Sequence, residues 1–314
     1  MTAKAPSALD TKRADRGSTS SSDQSVQVFP FDRRWSLADA VELACVLEAT
    51  APKVGNVHPG AAFADMRYSD FLASAGAIAP VFKKSAELSV GELVLQSVVA
   101  TRKHVGLNTN LGTVLLLAPI AKAAALQETR KSPSEPLIRG AVQQVLDDLT
   151  ALDSQLVYEA IRVAKPGGIG NQAENDVQGA APASLIEAMQ QAASFDAVAR
   201  QYANGFADIF VRLVPWLNES LAAGSDVFAA TCSLQVRMLA EEPDGLIARK
   251  CGHTLAEEIQ SLAQRVVQAT EAANRNALLR DLDTFLRGDG HRRNPGTTAD
   301  MIAATLFVRL LWAS

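Results

Sequence analysis

Aromatic residues make up only 5% of this chain of 314, and it holds three cysteines and four histidines. With few aromatics, the hydrophobic 48% must fill a core mainly with Ala, Leu, Val and Ile. Such side chains suit close helix packing better than a sandwich or barrel. Cys45, Cys232 and Cys251 are far apart and odd in number, which excludes a disulfide framework and metal-ligand spacing. They fit small buried thiols in a reducing compartment. No apolar run reaches the roughly 18 residues of a membrane span. The N-terminus has no apolar core of a secretion signal. Charge of one sign is also lacking: 30 Lys and Arg face 34 Asp and Glu, a net of −4. No basic stripe suggests nucleic acid. The expectation is a cytoplasmic protein with no nucleic-acid or membrane partner.

What is present is helical. Residues 1–28 are rich in Ser, Thr, Ala and charge and read as a disordered leader. From 29 to 314 the pattern predicts one all-α, multi-helix globular domain of roughly eleven helices. Ser36 with Asp39, Ser89 with Glu92 and Ser184 with Glu187 are spaced as N-caps. Ser69 is expected to cap a helix that Pro80 ends. Leu111–Leu126 is apolar nearly all round and so central. One helix is expected from Asp196 to Leu221 with a break near Pro215, and another from Ile247 to Ala269. Lys165 to Ala183 is the longest expected loop, either a lid or an irregular connection.

Three polar islands interrupt this pattern: Lys53 to Pro59, Leu107 to Gly112 and Asn294 to Asp300. In the first, Pro52 and Pro59 stiffen a loop from which Lys53, Asn56 and His58 project, and Gly55 permits a turn. A Lys beside exposed amides suits a polyphosphate; a solvated loop is the plainer reading. Asp65 offers the hard oxygen that Mg²⁺ prefers, or is a surface charge. Asn108, Thr109 and Asn110 precede the central helix as caps, or as an anion or nucleobase site. Asp244 lies in a tight turn followed by the basic Arg249 and Lys250. Thr297 and Asp300 have capping-box spacing. Gly167-Gly168-Ile169-Gly170 lacks the strand and spacing of a dinucleotide loop and is set aside.

The order of these segments carries more than any one of them. Leu47-Glu48, Pro52-Lys53-Val54-Gly55-Asn56-Val57, Asp65-Met66 and Asn108-Thr109-Asn110-Leu111-Gly112 come first. Asp244 with Arg249 and Gly252, then Pro295-Gly296-Thr297-Thr298-Ala299-Asp300-Met301, complete the series. From about Ala38 to the C-terminus this order resembles the triphosphoribosyl-dephospho-CoA synthase family. The resemblance implies an all-helical, ATP-dependent transferase. It would move the triphosphoribosyl part of ATP onto the ribose 2′-hydroxyl of dephospho-CoA and release adenine. The sequence departs from the family pattern: Val54 replaces a proline, Asn110-Leu111 replace a histidine and a lysine, and Pro243-Asp244-Gly245 replace a T-D-[ST] segment. These departures leave room for another acceptor, such as a methanopterin- or methanofuran-type cofactor precursor, for a phosphoryl or nucleotidyl transfer, or for a non-catalytic helical binding protein.

The implied chemistry assigns candidate roles. Lys53, Gly55, Asn56, Asn108, Thr109, Asn110, Arg249 and Lys250 would bind the nucleotide. Asp65 and Asp300 would hold Mg²⁺ or balance an oxocarbenium-like sugar. Asp244 and His58 would move protons. ATP and a small-molecule acceptor are the expected partners, and association of like chains is allowed. Lys53, Asn56, His58, Asp65, Asn108, Asn110, Asp244, Arg249 and Asp300 are expected to converge on one cleft.

Overall fold

The structure is a computed structural model that describes residues 1–2, 30–127, 135–165 and 179–311. Residues 3–28 of the expected leader, most of the expected loop after Lys165, and Trp312 fall outside the described residues. Among the described residues, fourteen α-helices form the chain, with one π-helical segment and one four-residue extended strand. The fold is all-α as expected, with more helices than expected because the chain breaks at Gly205–Phe206 and at Gly252.

The first half is α1 (Leu37–Thr50), α2 (Tyr68–Phe82), α3 (Val90–Val105), α4 (Leu111–Leu126), α5 (Glu135–Asp147), α6 (Ala151–Ala164) and α7 (Leu185–Ala192). The second is α8 (Ala197–Asn204), a π segment (Asp208–Leu213), α9 (Val214–Ala222), α10 (Val227–Glu241), α11 (Gly245–Cys251), α12 (His253–Gln268), α13 (Ala272–Arg287), β1 (Gly288–His291) and α14 (Gly296–Leu311).

Local chemistry explains most boundaries. The Ser36 side chain accepts from Asp39 N–H, and Ser89 and Glu92 close a full capping box. Ser184 accepts from Glu187 N–H. Such caps satisfy helix N–H groups that have no intrahelical partner. Three expectations are corrected. α2 starts one residue before Ser69, with Arg67 N–H donating to Asp70 Oδ2 at 2.7 Å, and runs through Pro80 to Phe82. The expected Ile247–Ala269 helix is two, because Gly252 takes φ +92°, a left-handed-side conformation that ends α11. The Asp196–Leu221 stretch breaks at Gly205 and Phe206, both with positive φ; Pro215 instead lies in the first turn of α9.

Two apolar cores result. The larger is centred on α4 and α14, where Leu116, Leu117, Ile120, Phe307 and Val308 are fully buried. Each such side chain contributes about 1.5–3 kcal/mol. Ala40 and Ala44 of α1 belong to this core and keep its packing against α14 close. The smaller core joins Val54 to α10, α11, α12 and α13 through Leu239, Ile247, Ile259, Leu282 and Leu286. Between the two run the end of α1 and the loop after it. That places the first polar island at the seam, against Gln235 of α10, Asp283 and Arg287 of α13, and Asn294 just before α14.

Candidate active site

A small cavity lies where α1, α2, α4 and α14 meet. It is lined by Cys45, Glu48, Phe71, Ser74, Ala75, Thr109, Asn110, Thr113 and Ala303. Its free volume is about 20 Å³, room for one water or ion. Anything larger than that has room only across its mouth. A larger cavity of about 420 Å³ between α5 and the end of α8 contains none of the polar-island residues, so the chemistry points to the smaller one.

Asp300 stands beside this cavity on the second turn of α14. It is half-buried, and its Oδ1 accepts from Thr113 Oγ1 at 2.6 Å. Burial is the main force on its proton affinity. The neighbouring Glu48 carboxylate and Asp244 add to it, against the Thr113 donors, and its pKa is pushed up to about 7. A side chain at Gly112 would place Cβ 2.1 Å from Asp300 Oδ2. Gly112 is therefore the residue that lets the carboxylate approach the start of α4. The Thr297–Asp300 spacing does not act as a capping box: Asp300 turns to α4, and Asp244 caps α14 instead.

Glu48 links Asp300 to Lys53. The Lys53 ammonium is 0% exposed and meets Glu48 Oε1 at 2.8 Å, and it also donates to the Glu48 carbonyl. So the Lys53 and Asp300 segments share one side of the molecule. Around the cavity, Asn108 Oδ1 accepts from Leu111 N–H at 3.2 Å, and Thr109 bonds Ser74. Asn110 Nδ2 donates to Thr101 Oγ1 at 3.0 Å.

Beyond Lys53 the loop forms a second wall. Gln235 Nε2 donates to Val54 O at 2.8 Å and to Asn56 Oδ1 at 2.7 Å. Gly55 N–H donates to Asp283 at 2.7 Å, and its φ is +70°. A Cβ there would strike Leu286 at 2.7 Å. Arg287 Nη2 donates to Asn56 O at 2.6 Å. Asn56 also bonds Asn294. His58 accepts from Gly60 N–H through Nδ1, and its pKa is lowered by burial first and then by the Arg287 charge. Asp65 is exposed and meets His291 Nδ1 at 2.9 Å. Lys250 lies within the field of Asp65, and burial lowers its pKa.

Of the nine residues expected to share one cleft, only Asn110 lines the small cavity, with Asp300 bonded to its Thr113. Asn56, His58 and Asp65 belong to the loop wall, and Asp244 and Arg249 are held by other partners. Asp244 is 4% exposed and has both oxygens occupied: Oδ1 by Leu246 and Ile247 N–H, Oδ2 by Thr298 N–H and Oγ1. Burial raises its pKa against those donors. Arg249 Nη1 is paired with Asp196 at 2.7 Å, at the cap of α8. Sequence reasoning missed Glu48, Thr113, Arg287 and His291 as site residues. Glu48 stood in a quoted segment; the other three gave no local signal. Among the described residues no group of three or more His, Cys, Asp or Glu is arranged to hold a metal. Nor is any helix among them long and apolar enough to cross a membrane.

Fold and site together describe an all-helical protein with a buried carboxylate, Glu48, beside the desolvated Asp300 and with a basic wall built from the loop after Lys53 and the end of α13. The chain belongs to the CitG family, ATP:dephospho-CoA triphosphoribosyl transferase, whose model matches residues 34–314. It is similar to the crystal structure of a protein from Archaeoglobus fulgidus described as a triphosphoribosyl-dephospho-CoA synthase. The two share 27% identity at a TM-score of 0.57, over 77% of this chain and 99% of that one. No curated protein matches the chain.

Proposed function

We propose that this chain transfers the triphosphoribosyl group of ATP to a hydroxyl of dephospho-CoA at the mouth of the Asp300 cavity. The bond from ribose C1′ to adenine N9 breaks, and its electron pair leaves with adenine. A new C1′–O bond forms to the acceptor hydroxyl. The hydroxyl loses a proton and adenine gains one. The observation that carries this reading is the Asp300 carboxylate, desolvated and opposed by Glu48, at a cavity ringed with Asn110, Thr109 and Thr113. A carboxylate held at high proton affinity by burial gains most when positive charge develops next to it. It therefore stabilises an oxocarbenium-like sugar more than it stabilises the ground state.

His58 is the proton acceptor for the hydroxyl in this reading. Its lowered pKa favours the neutral ring, and its lone-pair Nδ1, which accepts from Gly60 N–H, takes the proton once that bond is released. Asn108, Thr109 and Asn110 orient the nucleoside. Lys53 holds Glu48 against Asp300 rather than touching the nucleotide, and Lys250 adds positive charge to the wall. Asp244 and Arg249 fix α11 against α14 and α8. Residues 29–314 act as one catalytic domain.

Mg²⁺ fits as an ion that arrives with the phosphates. The exposed Asp65 carboxylate has one oxygen engaged by His291, and Mg²⁺ commonly uses one or two carboxylates plus substrate phosphates. Asp65 would hold it, and the ion would neutralise phosphate charge. The test is mass spectrometry of products from ATP, Mg²⁺ and dephospho-CoA. Free adenine with a triphosphoribosyl adduct supports the reading; ADP, AMP or pyrophosphate as the leaving product overturns it.

A further inference from the structure

The lysine of the first polar island is not free to receive phosphate. Its ammonium is fully buried and committed to the Glu48 carboxylate and carbonyl. A triphosphate or diphosphate still needs donors that survive burial. The wall around the end of α13 supplies them. Arg287 Nε is held by both oxygens of Asp283, at 2.9 and 3.0 Å, and Nη2 by Asn56 O. Nη1 is buried with no hydrogen-bond partner. Arg293 donates from Nη1 to Phe285 O at 3.0 Å, while its Nε is likewise buried without a partner.

Two buried guanidinium N–H groups without partners, six residues apart in sequence, are costly to leave unmatched. Both side chains are braced for a task. Arg293 stacks over Phe285 at 4.6 Å, and Arg287 over Phe63 at 5.6 Å. Phe63 in turn meets the His291 ring edge-on at 6.0 Å. Asp283 and Asp65 face this group from α13 and the loop, and each already has a basic partner, Arg287 and His291. Asp289 pairs with Arg292 at 3.5 Å. A planar, always-charged guanidinium with a spare N–H is the preferred donor to phosphate oxygens.

We propose that Arg287 and Arg293 form the seat of a polyphosphate chain, at the junction of α13, β1 and the loop after Lys53. This rests on the transferase reading for the source of that chain. ATP supplies a triphosphate and dephospho-CoA a diphosphate, and the same donors suit either.

Isothermal titration of the full chain separates the cases. The probes are inorganic tripolyphosphate, ATP, dephospho-CoA and adenosine, against wild type, Arg287→Gln, Arg287→Lys and Arg293→Gln. The expected result is a loss of tripolyphosphate affinity of about tenfold or more in each Gln variant, with adenosine binding unchanged. Whichever of ATP and dephospho-CoA weakens in parallel is the source. Arg287→Gln also loosens the Asn56 loop, so Arg293→Gln, whose contacts lie outside that loop, is the deciding variant when Arg287→Gln melts early. Tripolyphosphate binding equal to wild type in Arg293→Gln, or none in wild type, overturns the seat. Adenine release by wild type with binding unaltered in the variants removes the seat and leaves the transferase. Arginine-dependent tripolyphosphate binding with no adenine release does the reverse.

Discussion

Asp244 and Asp300 stand on either side of the first turns of α14, and both are desolvated, yet their surroundings differ. Asp244 receives four hydrogen bonds, from Leu246, Ile247 and twice from Thr298. Asp300 receives Thr113 and faces the like charge of Glu48. Burial alone therefore does not distinguish a carboxylate that holds a fold from one that does chemistry. The donor inventory does. Where every lone pair has a partner, the charge is already neutralised and nothing is left for a substrate. Where a repelling neighbour replaces donors, the group is held ready for a positive charge.

The comparison is sharpest in turnover. Asp300→Asn keeps an acceptor for Thr113 but removes the charge. Turnover is expected to fall about 10³-fold, about 4 kcal/mol of transition-state stabilisation. Its melting temperature at pH 7 should not drop. An Asp300→Asn enzyme with near-normal adenine release would end the reading of Asp300 as the charge opposite the sugar.

Asp244→Ala should show the opposite pattern. It uncaps α11 and leaves Thr298 N–H without an acceptor, a stability loss of about 2–4 kcal/mol in urea titration. Turnover per folded molecule should stay within about threefold of wild type, equivalent to about 0.7 kcal/mol. Full stability with lost turnover would invert the comparison and return Asp244 to proton transfer.

These two residues also mark what a sequence can reveal. Caps are local, so Ser36, Ser89 and Ser184 were legible from spacing of a few residues, and the apolar run of α4 declared its burial. The same rule misled at Asp300: its spacing from Thr297 matches a capping box, but its partner Thr113 lies 187 residues away. Lys53 looked like a phosphate ligand because its buried partner Glu48 sits five residues back, across a proline, where no helix periodicity predicts a contact. Arg287 and His291 were invisible for the same reason, since Asn56 and Asp65 are more than 220 residues distant. The split at Gly252 depended on a φ that composition does not encode. Local geometry was readable; the meeting of distant segments required the packed cores.

Gly112 tests the close approach directly. Ala at this helix position should gain up to about 1 kcal/mol in propensity. The added Cβ at 2.1 Å from Asp300 Oδ2 instead forces the carboxylate aside, a net cost of about 1–2 kcal/mol. Turnover should fall with it by about tenfold, equivalent to about 1.4 kcal/mol. In an Asp300→Ala background the same Gly112→Ala change should be neutral or stabilising, a coupling that a double-mutant cycle measures. Additive stability losses would mean the two residues do not press on each other.

The smallest expected effect is the pH dependence of stability in the metal-free protein. Asp300 has its folded pKa raised from 3.8 to about 7. Between those values the folded state binds more protons than the unfolded state, so stability falls as pH rises from about 4 to 7 and levels off above. The full shift corresponds to at most about 4 kcal/mol at 1.36 kcal/mol per unit. A half-buried carboxyl at a cavity mouth is partly screened, so about 1–2 kcal/mol is expected. Burial also raises Asp244, with the same sign, and so wild-type data alone cannot assign the slope. The difference between wild type and Asp300→Asn can: the variant should gain on wild type between about pH 4 and 7 in urea titrations and keep a constant lead above. Parallel curves would place the Asp300 charge in water, and with that the physical contrast with Asp244 would disappear.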